Sequence, residues 1–296
     1  MVLYIMYFER LMEDLKKDSS YETLLQKIIN VFSPYYICQH FVGNEAWKWL
    51  GLHRIPGKND LLTTDNVSVI KDYDIVVCQV NYFEKFVRDI LPRISGRIIL
   101  ITCQFEYPPL FRSELTDELR DSPKIIRWLS TNPIYEASDT YMAFPCGMCH
   151  WRENMTAYAE TLLRGDTAKS GVAHMHLSET NPCRDLLPKG PKCECADYYE
   201  NIRKSQYLIS PIGDRDDCYR HYEAIGLGTN PLSNVGDLYR PIFGDSMIYC
   251  GIDEMLKALE TQAVSGDKGA PNRDLICLDY YVARLIPTPP LHVDES

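Results

Sequence analysis

Arg220 and Glu223 stand three apart, just after an apolar run and a glycine-containing turn, and residues at that spacing share one face of a helix. The run is Tyr207-Leu208-Ile209, with the residue types of a strand, and Ser210-Pro211-Ile212-Gly213 ends it. A polar loop over 214–217 leads into a helical pattern from Cys218 to Leu227. Arg220 therefore falls in a first helical turn, beside unpaired N–H groups and the positive end of the helix dipole, where a phosphate is received. Its guanidinium adds a fork that matches phosphate oxygens. Glu223, one turn on, is placed to accept hydrogen bonds from sugar hydroxyls, so the pair fits a nucleoside diphosphate. The plainer alternative is an exposed ion pair worth about 0.2–0.5 kcal/mol.

The stretch 205–234 carries more than this pair. Pro211-x-Gly213, Asp217-x-Tyr219-Arg220, Glu223-Ala224 and Gly228-x-x-Pro231 resemble the signature of exostosin-like glycosyltransferases. Upstream, Ser178-x-Thr180-Asn181-Pro182-x-Arg184 is similar to another element of that family. Downstream, Ser233-Asn234 and 237–243 are similar to the segment that follows the motif. Arg215, and Thr229-Asn230 before Pro231, depart from the family pattern and leave the shape of the sugar pocket open. The resemblance covers about 70 residues and implies the GT-B fold, an α/β arrangement of two Rossmann-like domains facing across a cleft. It also implies an inverting transfer from a UDP-sugar to a glycan acceptor. Arg184 and Arg220 would stabilise the leaving diphosphate, assisted by Ser210 and by the N–H groups around Gly213 and Tyr219. Glu223 would hold the ribose, and Asp217 would face the transferred sugar. The absence of an anchor resembles the compact exostosin-like enzymes of large algal viruses, among which xylosyltransferases occur, so xylose is the expected sugar.

Positioning these residues requires alternating strands and helices. A helical stripe runs over 7–31, broken at Ser19-Ser20, and 34–41 reads as a strand. Strand, helix and strand patterns at 74–80, 82–91 and 97–103 imply a parallel sheet. The change of character at 135–151 suggests a passage between domains, giving an acceptor domain over 1–145 and a nucleotide-sugar domain over 146–268. The second begins with a helix near 154–163 and a strand at 171–178. A C-terminal helix within 269–296 would return to the first domain. Ligands of open parallel sheets bind beyond the carboxyl ends of strands, which groups Thr180, Arg184 and Ser210.

A net charge of -10 argues against nucleic acid and anionic membranes as partners. Eleven cysteines, an odd number and several inside apolar runs, read as buried thiols in a reducing compartment. The apolar opening over 1–8 is too short for a signal core or a span, so a soluble cytoplasmic protein is expected. Cys146-x-x-Cys149-His150 matches a haem-attachment pattern and, with Cys193 and Cys195, offers four thiolates to zinc. Asp214-x-Asp216 and Asp72-x-Asp74 share the D-x-D arrangement by which another class of glycosyltransferase holds a divalent cation, and are equally read as polar loops. Because arginines already neutralise the diphosphate, no metal or other cofactor is expected; a metal-dependent enzyme and a non-catalytic nucleotide-sugar binder remain alternatives. The transfer needs a base to take the acceptor's proton. Glu106, directly after the apolar run 98–105, is the first candidate, with His40 and Glu45 as alternatives.

Overall fold

The computed structural model describes residues 6–43, 60–103, 109–264 and 269–289. The chain forms two compact α/β units, each built on a parallel sheet.

One unit comprises 34–144 and 281–296. Its strands are β1 (His40–Val42), β2 (Asp60–Leu61), β3 (Ile75–Gln79), β4 (Ile98–Cys103), β5 (Ile125–Ser130) and β6 (Tyr141–Ala143), in the order β2-β1-β3-β4-β5-β6. Every residue of β3 and β4 is buried, the pattern of parallel strands covered on both faces. Trp128 of β5 anchors the core, edge-on to Tyr141 at 4.9 Å, and its indole N–H donates to Thr102 at 2.9 Å. The segment between β3 and β4 is helical, with a π-type turn over Phe86–Ile90, and ends in the 3₁₀ turn Leu91–Arg93. Lys124 donates to the carbonyls of Leu91, Pro92 and Ile94 there, a cation on the negative end of a helical segment.

The other unit comprises 1–33 and 145–280. Its sheet has the order β10-β9-β8-β7, from β7 (Val172–Ala173), β8 (Tyr207–Ile209), β9 (Asn230–Ser233) and β10 (Ile248–Tyr249). The helices α1 (Tyr7–Lys17) and α2 (Tyr21–Lys27), separated at Ser19-Ser20, pack on α4 (Arg152–Leu163); α3 (Glu114–Arg120) belongs to the first unit. Then come α5 (Cys195–Lys204), α6 (Tyr219–Gly226) and α7 (Ile252–Thr261); α8 (Leu278–Leu285) begins in this unit and ends in the other. Residues 1–33 thus join 145–280 rather than the segment that follows them, because the apolar faces of α1 and α2 have their partners there. The join is tight: Gly147, at φ +77°, lies so close to Ile29 that a Cβ would stand 2.4 Å from its carbonyl.

Two local expectations are overturned. Residues 34–41 are not one strand, since Ser33–Ile37 is helical and β1 begins only at His40. The strand expected at 171–178 is two residues long, after which the chain leaves the sheet with His174 bonded to the Pro188 carbonyl at 2.6 Å.

Candidate functional site

The loop 210–218 leaves the carboxyl end of β8, which lies between β7 and β9 in the sheet. Ser210 extends the ladder by one bond, its N–H donating to the Leu232 carbonyl at 2.9 Å, before Pro211 turns the chain. Cys218 is the N-cap of α6, which carries Tyr219, Arg220 and Glu223 in its first two turns. A βα loop at this end of a parallel sheet lies where anions bind, but the Gly213 N–H, expected on the diphosphate, donates to the Arg215 carbonyl at 2.9 Å.

The loop is held by residues of 178–184. Asn181 caps the 3₁₀ turn Pro182–Leu186 with its side-chain oxygen and donates through Nδ2 to the Gly213 carbonyl at 2.8 Å. Arg184 donates from Nε to the Ile212 carbonyl at 2.8 Å and from Nη2 to that of Pro211 at 3.3 Å. Its Nη1 reaches the Ser178 carbonyl and hydroxyl and the Thr180 hydroxyl at 3.2, 2.8 and 3.2 Å. Asn234 fastens the far side by accepting the Ile212 N–H at 3.0 Å. The two separate motifs of the sequence are therefore one interlocked structure. Arg184, expected on the diphosphate, spends its donors on the loop and on Ser178 and Thr180.

Arg220 is different. Its Nη2 donates to the His176 carbonyl at 3.0 Å, and the guanidinium lies 5.7 Å from the Tyr198 ring centre. Its Nη1 is buried and has no hydrogen-bond partner. A buried, uncompensated cationic donor costs stability unless something accepts from it.

Glu223 is 5% exposed and its oxygens accept from Tyr198 and Tyr199 at 2.8 and 3.2 Å. Burial raises its carboxyl above the ordinary range, against the opposing effect of the tyrosine hydroxyls and Arg220. A ribose would have to share or displace these hydroxyls. Asp217 is 2% exposed. Its Oδ2 accepts from the Cys146 N–H at 2.7 Å and from the Tyr222 hydroxyl at 2.8 Å, while Oδ1, without a hydrogen-bond partner, faces His221 Nδ1 at 3.8 Å. These contacts make it a strut between the 145–150 segment and α6, not a group turned to a sugar. Tyr219 is half-buried with its ring 6.5 Å from that of His150, and burial raises its phenol. Ser210 is fully buried; its hydroxyl lies 4.0 Å from Cys218 Sγ, and its carbonyl accepts from His221 Nε2 at 3.1 Å.

His221, Tyr198 and Tyr199 are the site residues that pattern reasoning missed. Asp217 and His221 at i, i+4 were the only legible hint. Burial works against a charge on His221, but the Cys218 sulfur and Asp217 outweigh it and hold the imidazole above its usual value. Nothing in the spacing of the tyrosine pair tells that both hydroxyls meet one carboxylate.

Glu106 and Glu45 lie outside the described residues. His40 is described, and it is not at the carboxyl end of a strand. It opens β1 and bonds Asp74 at 3.2 Å, just before β3, on the amino edge of the sheet. Among the described residues no group of three or more His, Cys, Asp or Glu side chains could hold a metal. None of their helices is long and apolar enough to cross a membrane. A cavity of about 150 Å³ beside Arg184, lined by Ser178, Glu179, Asp185 and Lys189, is smaller than the roughly 300 Å³ at which ligand pockets begin. A larger one, about 480 Å³, runs along β10 and α7. The chain matches no protein-family model and no curated protein.

Proposed function

We propose that this chain is a metal-independent, inverting glycosyltransferase of the GT-B type, moving a sugar from a UDP-sugar to a glycan hydroxyl, with xylose the first sugar to test. The observation that carries the reading is the buried, unpartnered Nη1 of Arg220, in the first turn of α6 beyond the carboxyl end of a parallel strand. An anion of the diphosphate type answers that donor, and the exostosin-like pattern of 211–231 names the chemistry. In the transfer, the acceptor oxygen bonds the anomeric carbon as the bond to the diphosphate oxygen breaks. The acceptor's proton goes to a base, for which Glu106 is the candidate. Arg220 offsets the charge that grows on the leaving group, the work a divalent cation does in other glycosyltransferases.

Calorimetric titration with UDP and a panel of UDP-sugars, with chelator present, tests the reading. Binding of one UDP-sugar that Arg220→Ala abolishes is the expected result. No binding of any uridine nucleotide by the folded protein refutes it, and binding lost on chelation replaces it by a metal-dependent one.

A further inference from the structure

Gly213 and Arg184 come from different parts of the sequence, and the structure makes them depend on each other. A Cβ on Gly213 would stand 2.7 Å from Arg184 Nη2 and 3.3 Å from its guanidinium carbon, with Thr180 Oγ1 at 3.5 Å. Gly213 is not among the glycines with positive φ, so backbone geometry does not require glycine there. What requires it is the volume filled by the guanidinium. An arginine tip ordinarily swings away from such a clash at little cost. This one is tied by five hydrogen bonds to Ser178, Thr180, Pro211 and Ile212. Moving it strands the carbonyls of Pro211 and Ile212 and releases the turn they shape.

We propose that the two arginines divide the work at this site: Arg184 is a positioning residue that locks the loop 211–213 through the space left by Gly213, and Arg220 alone meets the anion. The division rests on the reading that the loop receives a diphosphate; the lock itself does not. The planar fork is essential to the lock, because Nε and Nη2 reach two successive carbonyls at once. A lysine offers the same charge from one point and cannot span them.

The experiment joins a stability cycle to a binding series on the full chain. Thermal unfolding is measured for the parent, Gly213→Ala, Arg184→Ala and the double variant. The expected result is non-additivity: Gly213→Ala lowers the midpoint alone and adds little once Arg184 is gone. If Gly213→Ala fails to fold alone, recovery in the Arg184→Ala background is the expected outcome, and no recovery refutes the lock, as does additivity. UDP titration of the folded variants then separates charge from position. Arg184→Lys and Arg184→Ala are expected to lose affinity alike, by on the order of tenfold to a hundredfold. Recovery of parent-like affinity by Arg184→Lys would make Arg184 a charge on the diphosphate and overturn the division. Failure of the parent to bind UDP would instead remove the functional reading and leave the stability cycle to decide the lock.

Discussion

Truncating Asp217 to alanine is the sharpest test of whether the aspartate of the motif serves the fold or the ligand. The carboxylate is 2% exposed and accepts two hydrogen bonds, from the buried Cys146 N–H and the fully buried Tyr222 hydroxyl. Each donor left unsatisfied inside the protein costs about 1–3 kcal/mol. Removing a buried charge whose Oδ1 has no hydrogen bond returns part of its desolvation. The net loss is then about 3 kcal/mol. In a unit of this size each kcal/mol moves the midpoint by about 2–4 °C, so Asp217→Ala lowers it by about 6–12 °C. Differential scanning calorimetry reads this. Tyr222→Phe, which removes one of the two donors to Asp217, costs about 1 kcal/mol, and the double variant falls close to Asp217→Ala alone because the two changes delete a shared bond. An Asp217→Ala protein that unfolds within 1 °C of the parent while losing UDP-sugar binding refutes the strut and returns the carboxylate to the sugar.

Other variants test other contacts. The Arg203 guanidinium, with Lys204, holds the Glu200 carboxyl down to about 2 from 4.5. A depressed carboxylate gives stability that is complete above pH 4.5 and lost as the pH falls toward 2. Glu200→Gln should flatten that part of the stability–pH curve by about 1 kcal/mol after solvent screening. Burial lowers Lys169 to about 8, so between pH 8 and 10.5 the unfolded chain holds a proton that the folded one has released. Stability from this residue rises with pH across that window, and the rise should vanish in Lys169→Met. The same change removes the Lys169 donor from the Arg203 and Leu227 carbonyls, costing about 2–4 kcal/mol at neutral pH by denaturant unfolding. Gly147→Ala meets both a positive φ and the Ile29 backbone, and its soluble yield should collapse. His40→Asn, on the amino edge of its sheet, should leave turnover within about threefold of the parent, whereas Glu106→Gln should lower it by about a hundredfold or more.

The order of these elements could be read in the chain where local and global preferences agree. The buried runs of β3 and β4 have only one use in a parallel sheet. The break between α1 and α2 is marked by Ser20, whose hydroxyl accepts the Thr23 N–H and caps α2. Strand β9 is hidden by Pro231, which lacks the donor a central strand normally needs. The register resolves the conflict. Asn230 and Leu232 exchange bonds with β8, so the ring of Pro231 turns toward β10, which pairs only from Leu232 onward. Arg127 similarly interrupts the apolar pattern of β5, and its guanidinium is absorbed by the carbonyls of Asp139 and Leu285. At the candidate site, the resemblance and the position beyond strand ends grouped 178–184 with 210–223, and the two segments are hydrogen-bonded to each other. Residue types and spacing could not show which arginine faces inward, because that choice depends on which carbonyls a three-dimensional turn leaves unpaired.

The grouping of 1–33 with 145–280 has a consequence for synthesis. As the chain emerges from a ribosome, α1 and α2 appear before their partners α4 and the 272–276 segment, whose Asp274 accepts the Phe8 N–H at 2.7 Å. Their apolar faces must wait while more than a hundred residues of another unit are made. A nascent chain in that interval offers the apolar faces of two helices to any chaperone, and this unit cannot complete its fold before Asp274 has left the exit tunnel.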